Sequence, residues 1–355
     1  MNEAFRREVQ GLADQFRTAP SFAGAPLTAP GAIILSGLGG SAMAGEFAAM
    51  LFPAERRVVV SRDDHLPGWS GLGDALLCLS YSGRTEETLA AWNEAERRGL
   101  VRGVVASGGP LLERGRKAAA VAVEVPGGLA PRTALGYLVR GAAAALGVEP
   151  AAGWDAAAQH LDQVRARWER SDQARVLLRP RPATGPSRQD KAPDPAGPES
   201  VSLGETCVEK RAVLMAPEPA FNAVARRWAA DFMENAKVPA WVWEFPEAGH
   251  NAVMTLAAEA SVTLPLAPIL LGRPRSAAAQ RRWRALQEVL ADHGATLLEV
   301  HEPHEDPWVE ALGLAHAGDW VSLALADRLG ANAASLSLMD EHKQRLAQAA
   351  DEDPS

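Results

Sequence analysis

The run Ala75-Leu76-Leu77-Cys78-Leu79, followed at once by Ser80-Tyr81-Ser82-Gly83-Arg84-Thr85-Glu86-Glu87-Thr88, constrains the fold of this chain more than any other stretch. A short apolar run that ends at turn residues reads as a buried strand. The segment 86–98 has the composition of a helix. Ser80, Ser82, Gly83 and Thr85 therefore stand where a strand hands over to a helix N-terminus. Unpaired backbone N–H groups and the positive end of the helix dipole favour an anion there. Hydroxyls can donate to phosphate oxygens without a fixed charge. Ordinary helix caps use the same residue types, so this turn alone leaves an anion cradle and a plain capped helix equally open.

A turn of the same kind lies upstream. Ala32-Ile33-Ile34-Leu35-Ser36 reads as a strand and leads into Gly37-Leu38-Gly39-Gly40-Ser41-Ala42-Met43-Ala44-Gly45-Glu46, then a helix-compatible stretch to Leu51. Paired glycines let the backbone approach a ligand closely, and Ser41 adds a hydroxyl at a second helix start. This is not a dinucleotide fingerprint, because Ala42 stands where G-x-G-x-x-G needs its third glycine. It also lacks the Gly-Lys-Ser/Thr ending of a Walker loop. Two such turns in succession point to phosphate binding where either alone does not.

Around them, strand-like and helix-like segments alternate. Residues 58–60, 103–106 and 121–125 read as strands, and 131–146 and 154–168 as helices. The pattern resumes with a strand at 212–215, a helix at 220–236, and strands at 240–245, 267–271 and 296–300. Helices at 281–294, 308–329 and 337–350 complete it. Such alternation implies parallel sheets with helices on both faces. The expected fold class is α/β, with two tandem doubly wound parallel-sheet units (αβα sandwiches) and C-terminal helices. Between the units, six prolines fall from Pro180 to Pro198 among Gly, Ser and Asp, with almost no large apolar residue. That composition reads as an exposed linker or mobile insertion. The expected division is 1–170, a linker at 171–210, and 211–355. The opening strand of the second unit ends in Ala216-Pro217-Glu218-Pro219, without a Ser/Thr-rich turn, so one complete cradle per chain is expected.

Composition excludes several classes. A chain of 355 residues is long for one domain. Its formal charge of −8 argues against a general nucleic-acid surface, though not against an anionic substrate held by local amides. The two cysteines, Cys78 and Cys207, give neither a disulfide framework nor zinc spacing. Residues 1–7 lack a secretory apolar core and read as an amphipathic helix. No apolar run approaches the ~18 residues of a membrane helix. The sequence thus predicts a cytoplasmic protein with no nucleic-acid or membrane partner. His301, His304 and Glu305 are in the wrong order for a zinc-binding helix, and Pro303 and Pro307 disfavour a helix there. No metal and no cofactor are expected.

The two glycine- and hydroxyl-rich turns resemble the sugar isomerase (SIS) domain, which binds phosphosugars at the carboxyl ends of parallel strands. Pro131-Arg132-Thr133-Ala134-Leu135-Gly136-Tyr137 is similar to the Pro-Arg-x-Ala-Leu-Gly-Tyr element of one branch, the bifunctional phosphoglucose/phosphomannose isomerases. Arg226-Arg227-Trp228, Glu234-Asn235-Ala236-Lys237, Glu247-x-x-His250-Asn251 and Gly318-Asp319-Trp320-Val321-Ser322 are similar to later elements of that branch. The resemblance covers residues 30–347, apart from the proline-rich insertion. It implies interconversion of glucose 6-phosphate, and also mannose 6-phosphate, with fructose 6-phosphate through a metal-free cis-enediol route.

Such chemistry must open the ring, remove a proton from carbon, stabilise an enediolate and anchor the phosphate. By resemblance, Gly39, Gly40, Ser41, Ser80, Ser82 and Thr85 cradle the phosphate. Glu234 is the expected base, since a partly buried carboxylate suits proton removal next to a carbonyl. The plain alternative is a surface glutamate paired with Lys237 or Arg227. His250 is the expected ring-opening acid–base group, against a local capping role. In the family it commonly comes from a partner subunit, which implies a homodimer with the site near the interface. Arg132 is expected to stabilise developing negative charge. Lys343 matches a lysine of the family's last helix, close to the sugar. Residues 333–335 lack the family's usual proline pattern, which bears on glucose versus mannose discrimination. Two rival readings are a sugar-phosphate sensor that binds without catalysis and an isomerase of another phosphosugar.

Overall fold

The computed structural model describes residues 3–22, 24–169, 211–256, 266–293 and 297–352. The proline-rich segment and Cys207 lie outside the described residues. Strands Ile33–Ser36 (β1) and Ala75–Leu79 (β3) are buried along their whole length, as apolar runs are when helices cover both faces of a parallel sheet. They form the centre of a parallel sheet completed by Val58–Ser61 (β2), Val101–Ala106 (β4) and Val121–Glu124 (β5), in the order β2-β1-β3-β4-β5. A second parallel sheet has the order β7-β6-β8-β9. Its strands are Arg211–Ala216 (β6), Trp241–Glu244 (β7), Leu266–Leu271 (β8) and Leu298–Val300 (β9). In both sheets the first strand lies between the second and the third. The connections then leave in opposite directions, and a crevice opens at the carboxyl ends of those central strands.

The helices are Glu3–Gln10 (α1), Leu12–Arg17 (α2), Gly39–Ala49 (α3), Glu86–Arg98 (α4), Gly109–Lys117 (α5), Leu135–Leu146 (α6) and Trp154–Trp168 (α7). Asn222–Asp231 (α8), Ala277–Asp292 (α9), Pro307–Leu329 (α10) and Ser337–Glu352 (α11) follow. Strand side chains alternate between two faces. Ile34 packs outward with Trp92 of α4 and Leu111 of α5. Val213 and Met215 pack outward with Trp283 and Leu286 of α9. Ile33 and Leu35 of the first sheet and Leu214 and Ile269 of the second belong to one inner core. Phe16, Trp154 and Trp308 help to join that core, with the rings of Trp154 and Trp308 centred 5.6 Å apart. Among the described residues, no helix is long and apolar enough to cross a membrane.

Three departures from the expected elements have local causes. The helix placed at 281–294 starts at Ala277, because the Ser276 hydroxyl accepts the Ala279 N–H and caps it there. The stretch at 131–146 opens as a 3-10 turn, Pro131–Thr133, before α6 begins. The stretch at 220–236 is not one α-helix. After a 3-10 turn and α8 it widens into a π-helical turn, Phe232–Ala236, which stops at Lys237 with φ +61°.

Candidate active site

At the carboxyl end of β3, Thr85 is the N-cap residue of α4, yet its hydroxyl makes no cap bond. Its Oγ1 instead lies 2.9 Å from Ser80 Oγ. The first-turn N–H groups of α4 are thereby left to another acceptor. Gly83 carries the turn at φ +64°, where an added Cβ would fall 1.9 Å from Gly108 O. Ser82 is exposed, and its Oγ accepts the Arg84 N–H at 3.3 Å. At the end of β1, α3 likewise starts without a side-chain cap. Ser41 Oγ accepts the Tyr81 N–H at 3.2 Å, tying the two turns together. Ser41, Ser80, Ser82 and Thr85, with Gly39 and Gly40 at the start of α3, therefore stand on adjoining turns at the carboxyl ends of β1 and β3, where the strand order reverses.

Arg132 borders these turns. A Cβ on Gly40 would lie 2.9 Å from Pro131 O and 3.1 Å from Arg132 Cα, so only glycine permits this approach. The Arg132 side chain is buried, stacked 4.4 Å above the Phe5 ring. Its turn is held from below by the N-terminal helices. Glu8 accepts from the Ala130 N–H (2.9 Å) and the Thr133 hydroxyl (2.6 Å). Gln15 donates to Thr133 O (2.6 Å) and accepts from the Gly136 N–H (3.0 Å). Burial pulls the Arg132 guanidinium below its ordinary pKa, opposed by Glu234 and Asp231.

Glu234 Oε2 lies 3.7 Å from Arg132 Nε, with the carboxylate side chain 22% exposed. The pairing with Lys237 or Arg227 that the sequence allowed takes another form. Lys237 Nζ donates to the backbone oxygens of Glu234 (2.5 Å) and Ser335 (2.6 Å), pinning the end of the π turn. Arg227 is turned into the core, 2.9 Å from Asp231 and 2.7 Å from Asp319. Burial holds the Asp231 carboxyl well above the ordinary range against the pull of Arg227. For Asp319, burial acts in the same direction but Arg227 and the His316 hydrogen bond outweigh it, so its pKa is lowered. Arg226 reaches Glu46 of α3 at 2.8 Å and also pairs with Glu244, bridging the two units next to the crevice.

Asn235 links Glu234's turn to Arg132. Its Oδ1 accepts from Arg132 Nε at 3.0 Å, and its Nδ2 donates to Ser322 Oγ at 2.9 Å. Arg132 Nη2 also donates to Ala333 O at 2.7 Å. Residues 333–335 thus meet the site through backbone carbonyls. Phe5, Glu8 and Gln15 were not singled out from the sequence, and Asn235 and Ser322 stood there only inside motifs, with no role given. For Phe5 the one signal was the amphipathic character of residues 1–7; Glu8 and Gln15 lay outside it.

His250 and Lys343 are not brought to this cluster. His250 ends an exposed 3-10 turn, Glu247–His250, and Asn251 rather than His250 caps the next turn, accepting the Ala252 N–H at 2.5 Å. Lys343 lies on α11, whose described side chains are all exposed, Leu338 (80%) and Leu346 (48%) included. Among the described residues, no hydrogen bond or ion pair ties either one to Arg132 or Glu234. Elsewhere, His301 lies 3.2 Å from Glu299, and His304 Nδ1 accepts the Asp306 N–H at 3.0 Å. Cys78 is fully buried in β3.

Two doubly wound units in tandem, with a hydroxyl-lined crevice at the first switch point, define a SIS-type α/β protein. Residues 199–346 match the bacterial phospho-glucose isomerase C-terminal SIS domain. The bifunctional phosphoglucose/phosphomannose isomerase of Thermoplasma acidophilum is 31% identical over 252 residues, 71% of this chain and 70% of that protein. The enzyme of the same description from Aquifex aeolicus is 25% identical over 317 residues, 88% of this chain and 90% of its own. Among solved structures, a glucose-6-phosphate isomerase from Chlamydia trachomatis shares the fold, with a TM-score of 0.63 at 13% identity over 98% of this chain and 74% of that one. This chain belongs to the bifunctional phosphoglucose/phosphomannose isomerase family.

Proposed function

We propose that this protein is an aldose–ketose isomerase that interconverts glucose 6-phosphate and mannose 6-phosphate with fructose 6-phosphate. Gly39, Gly40, Ser41, Ser80, Ser82 and Thr85 take the phosphate on amides and hydroxyls, which need no counter-charge and release the product readily. Glu234 moves the proton between C1 and C2 through a cis-enediol. Arg132, already charged and desolvated, meets the negative charge that develops on the enediolate oxygens. The observation that carries this reading is the continuity from Gly40 to Arg132 to Glu234, with the last pair 3.7 Å apart. Carboxylate, guanidinium and anion-friendly turns adjoin one crevice.

His250 opens the ring and Lys343 supports the sugar from a second copy of the chain. The exposure of both residues, and of Leu338 and Leu346 on the same helix as Lys343, supports a homodimer with the site near the interface. In this reading the enzyme works in the cytoplasm on soluble hexose phosphates. Its domains are 1–170 and 211–355, joined by 171–210. Fructose 6-phosphate incubated with the purified protein in EDTA is expected to yield glucose 6-phosphate and mannose 6-phosphate, identified by NMR. Thermal stabilisation without product would instead favour a sensor, and product from a different phosphosugar alone would change the substrate.

A further inference from the structure

Two neighbouring side chains of the π turn reach one atom. Arg132 Nε donates to Asn235 Oδ1 at 3.0 Å and stands 3.7 Å from Glu234 Oε2. Side chains at successive positions of a regular α-helix do not face one target. Widened π turns recur at functional sites, and here the turn carries both residues. Asn235 is 2% exposed, so each end of its amide needs a protein partner.

Those partners fix which way the amide points. Ser322 Oγ donates its only proton to Asp319 O at 2.8 Å. It can then only accept from Asn235, whose Nδ2 lies 2.9 Å away. The donor end of the amide being committed to Ser322, the acceptor end must face Arg132. Asp319 is itself tied to Arg227 at 2.7 Å, so the lock is anchored in α8 and α10 together. Opposite this contact, Arg132 has the Phe5 ring and Ala333 O.

We propose that Asn235 is the positioning residue of this site: locked by Ser322, it fixes the Arg132 guanidinium beside Glu234. It acts through Arg132 and not on the sugar. Its kinetic consequences rest on the isomerase reading given above.

Steady-state kinetics with fructose 6-phosphate test this on Asn235→Leu, Asn235→Asp, Ser322→Ala, Arg132→Leu and the Asn235→Leu/Arg132→Leu double variant. Asn235→Leu is expected to lower kcat about 10²-fold, the scale of a 1 Å misplacement. KM should move by less than about threefold, because the phosphate turns are untouched. Asn235→Asp keeps an acceptor for Arg132 Nε but loses the donor to Ser322, so it and Ser322→Ala should each lose less kcat than Asn235→Leu. In the Arg132→Leu background, Asn235→Leu should cost little more, since the two act as a unit. Equal losses in Asn235→Leu and Asn235→Asp, or full additivity with Arg132→Leu, would overturn the proposal.

A readout without turnover separates it from the isomerase reading. The rate of phenylglyoxal modification of Arg132, followed by peptide mass spectrometry, should rise about tenfold in Asn235→Leu as the local structure opens. It should rise less in Asn235→Asp, which keeps the acceptor for Arg132 Nε. Unchanged rates in Asn235→Leu would contradict the proposal even if the wild-type protein isomerised nothing.

Discussion

The two units share one topology and treat their switch points in opposite ways. In the first, the N-cap hydroxyl of Thr85 turns aside to Ser80, and the opening amides of α4 are not capped from within. In the second, the turn after β8 leads into α9 in the equivalent place, but Ser276 caps it at Ala279 N. Glu218, from the turn after β6, accepts from the N–H groups of Arg275 (3.0 Å) and Ser276 (2.6 Å). Phe221 packs against Gly272 of the same turn, where an added Cβ would lie 3.3 Å from its ring. The fold offers an anion-friendly helix start twice, because the amides and dipole come with the backbone. Side chains decide whether it stays open: hydroxyls leave one available, and an internal carboxylate fills the other.

The largest break in this comparison comes from closing the first switch point. Ser80→Ala with Thr85→Val removes the two hydroxyls proposed to bind the phosphate, and a hydrogen bond to a charged group is worth about 1.5–3 kcal/mol. KM for fructose 6-phosphate should rise by about 10²-fold or more, with a smaller change in kcat. Opening the second has a different signature. Glu218→Ala strands two N–H groups and should cost about 1–3 kcal/mol of stability in urea denaturation, with KM unchanged. If KM rose as steeply as in the first variant, the two switch points would not be functionally distinct.

An effect of pH probes the seam between the units. His160 of α7 is buried against the His304 ring, centred 5.2 Å away. Burial, with His304 and Arg167 adding to it and Glu310 opposing, lowers its pKa from 6.5 to about 4. The unfolded chain therefore takes up this proton near pH 6.5, and the folded chain only near pH 4. Stability should fall as the pH drops between those values and level off below them. His160→Gln should remove that slope, about 1.4 kcal/mol per pH unit and about 3 kcal/mol over the whole window, measured as urea midpoints across the pH range.

Much of this was legible in the residues because strand–turn–helix grammar is local. Leu76, Leu77 and Ser80 announce a buried strand and its exit, and α4 runs over the span expected of it. Glu234 and Arg132 stand out as motif residues, and the fold brings them together. What escaped is what the fold assembles at long range. Phe5 under Arg132 joins opposite ends of a unit, and Asn235 to Ser322 joins two helices. The contact of Ala333 with Arg132 uses a backbone carbonyl, which no side-chain pattern encodes. The π turn escaped as well, because its composition is that of the helix it interrupts.

The central claim is that Glu234 does the proton chemistry while the first switch point does the binding. Glu234→Gln keeps the side chain's shape and removes its basicity, so kcat and the Kd for fructose 6-phosphate, measured on the same preparation, test it directly. The account predicts a kcat lowered by about 10²–10⁴-fold and a Kd within a factor of about three. A variant that turns over at near wild-type rate, or one whose loss lies wholly in binding, would contradict it.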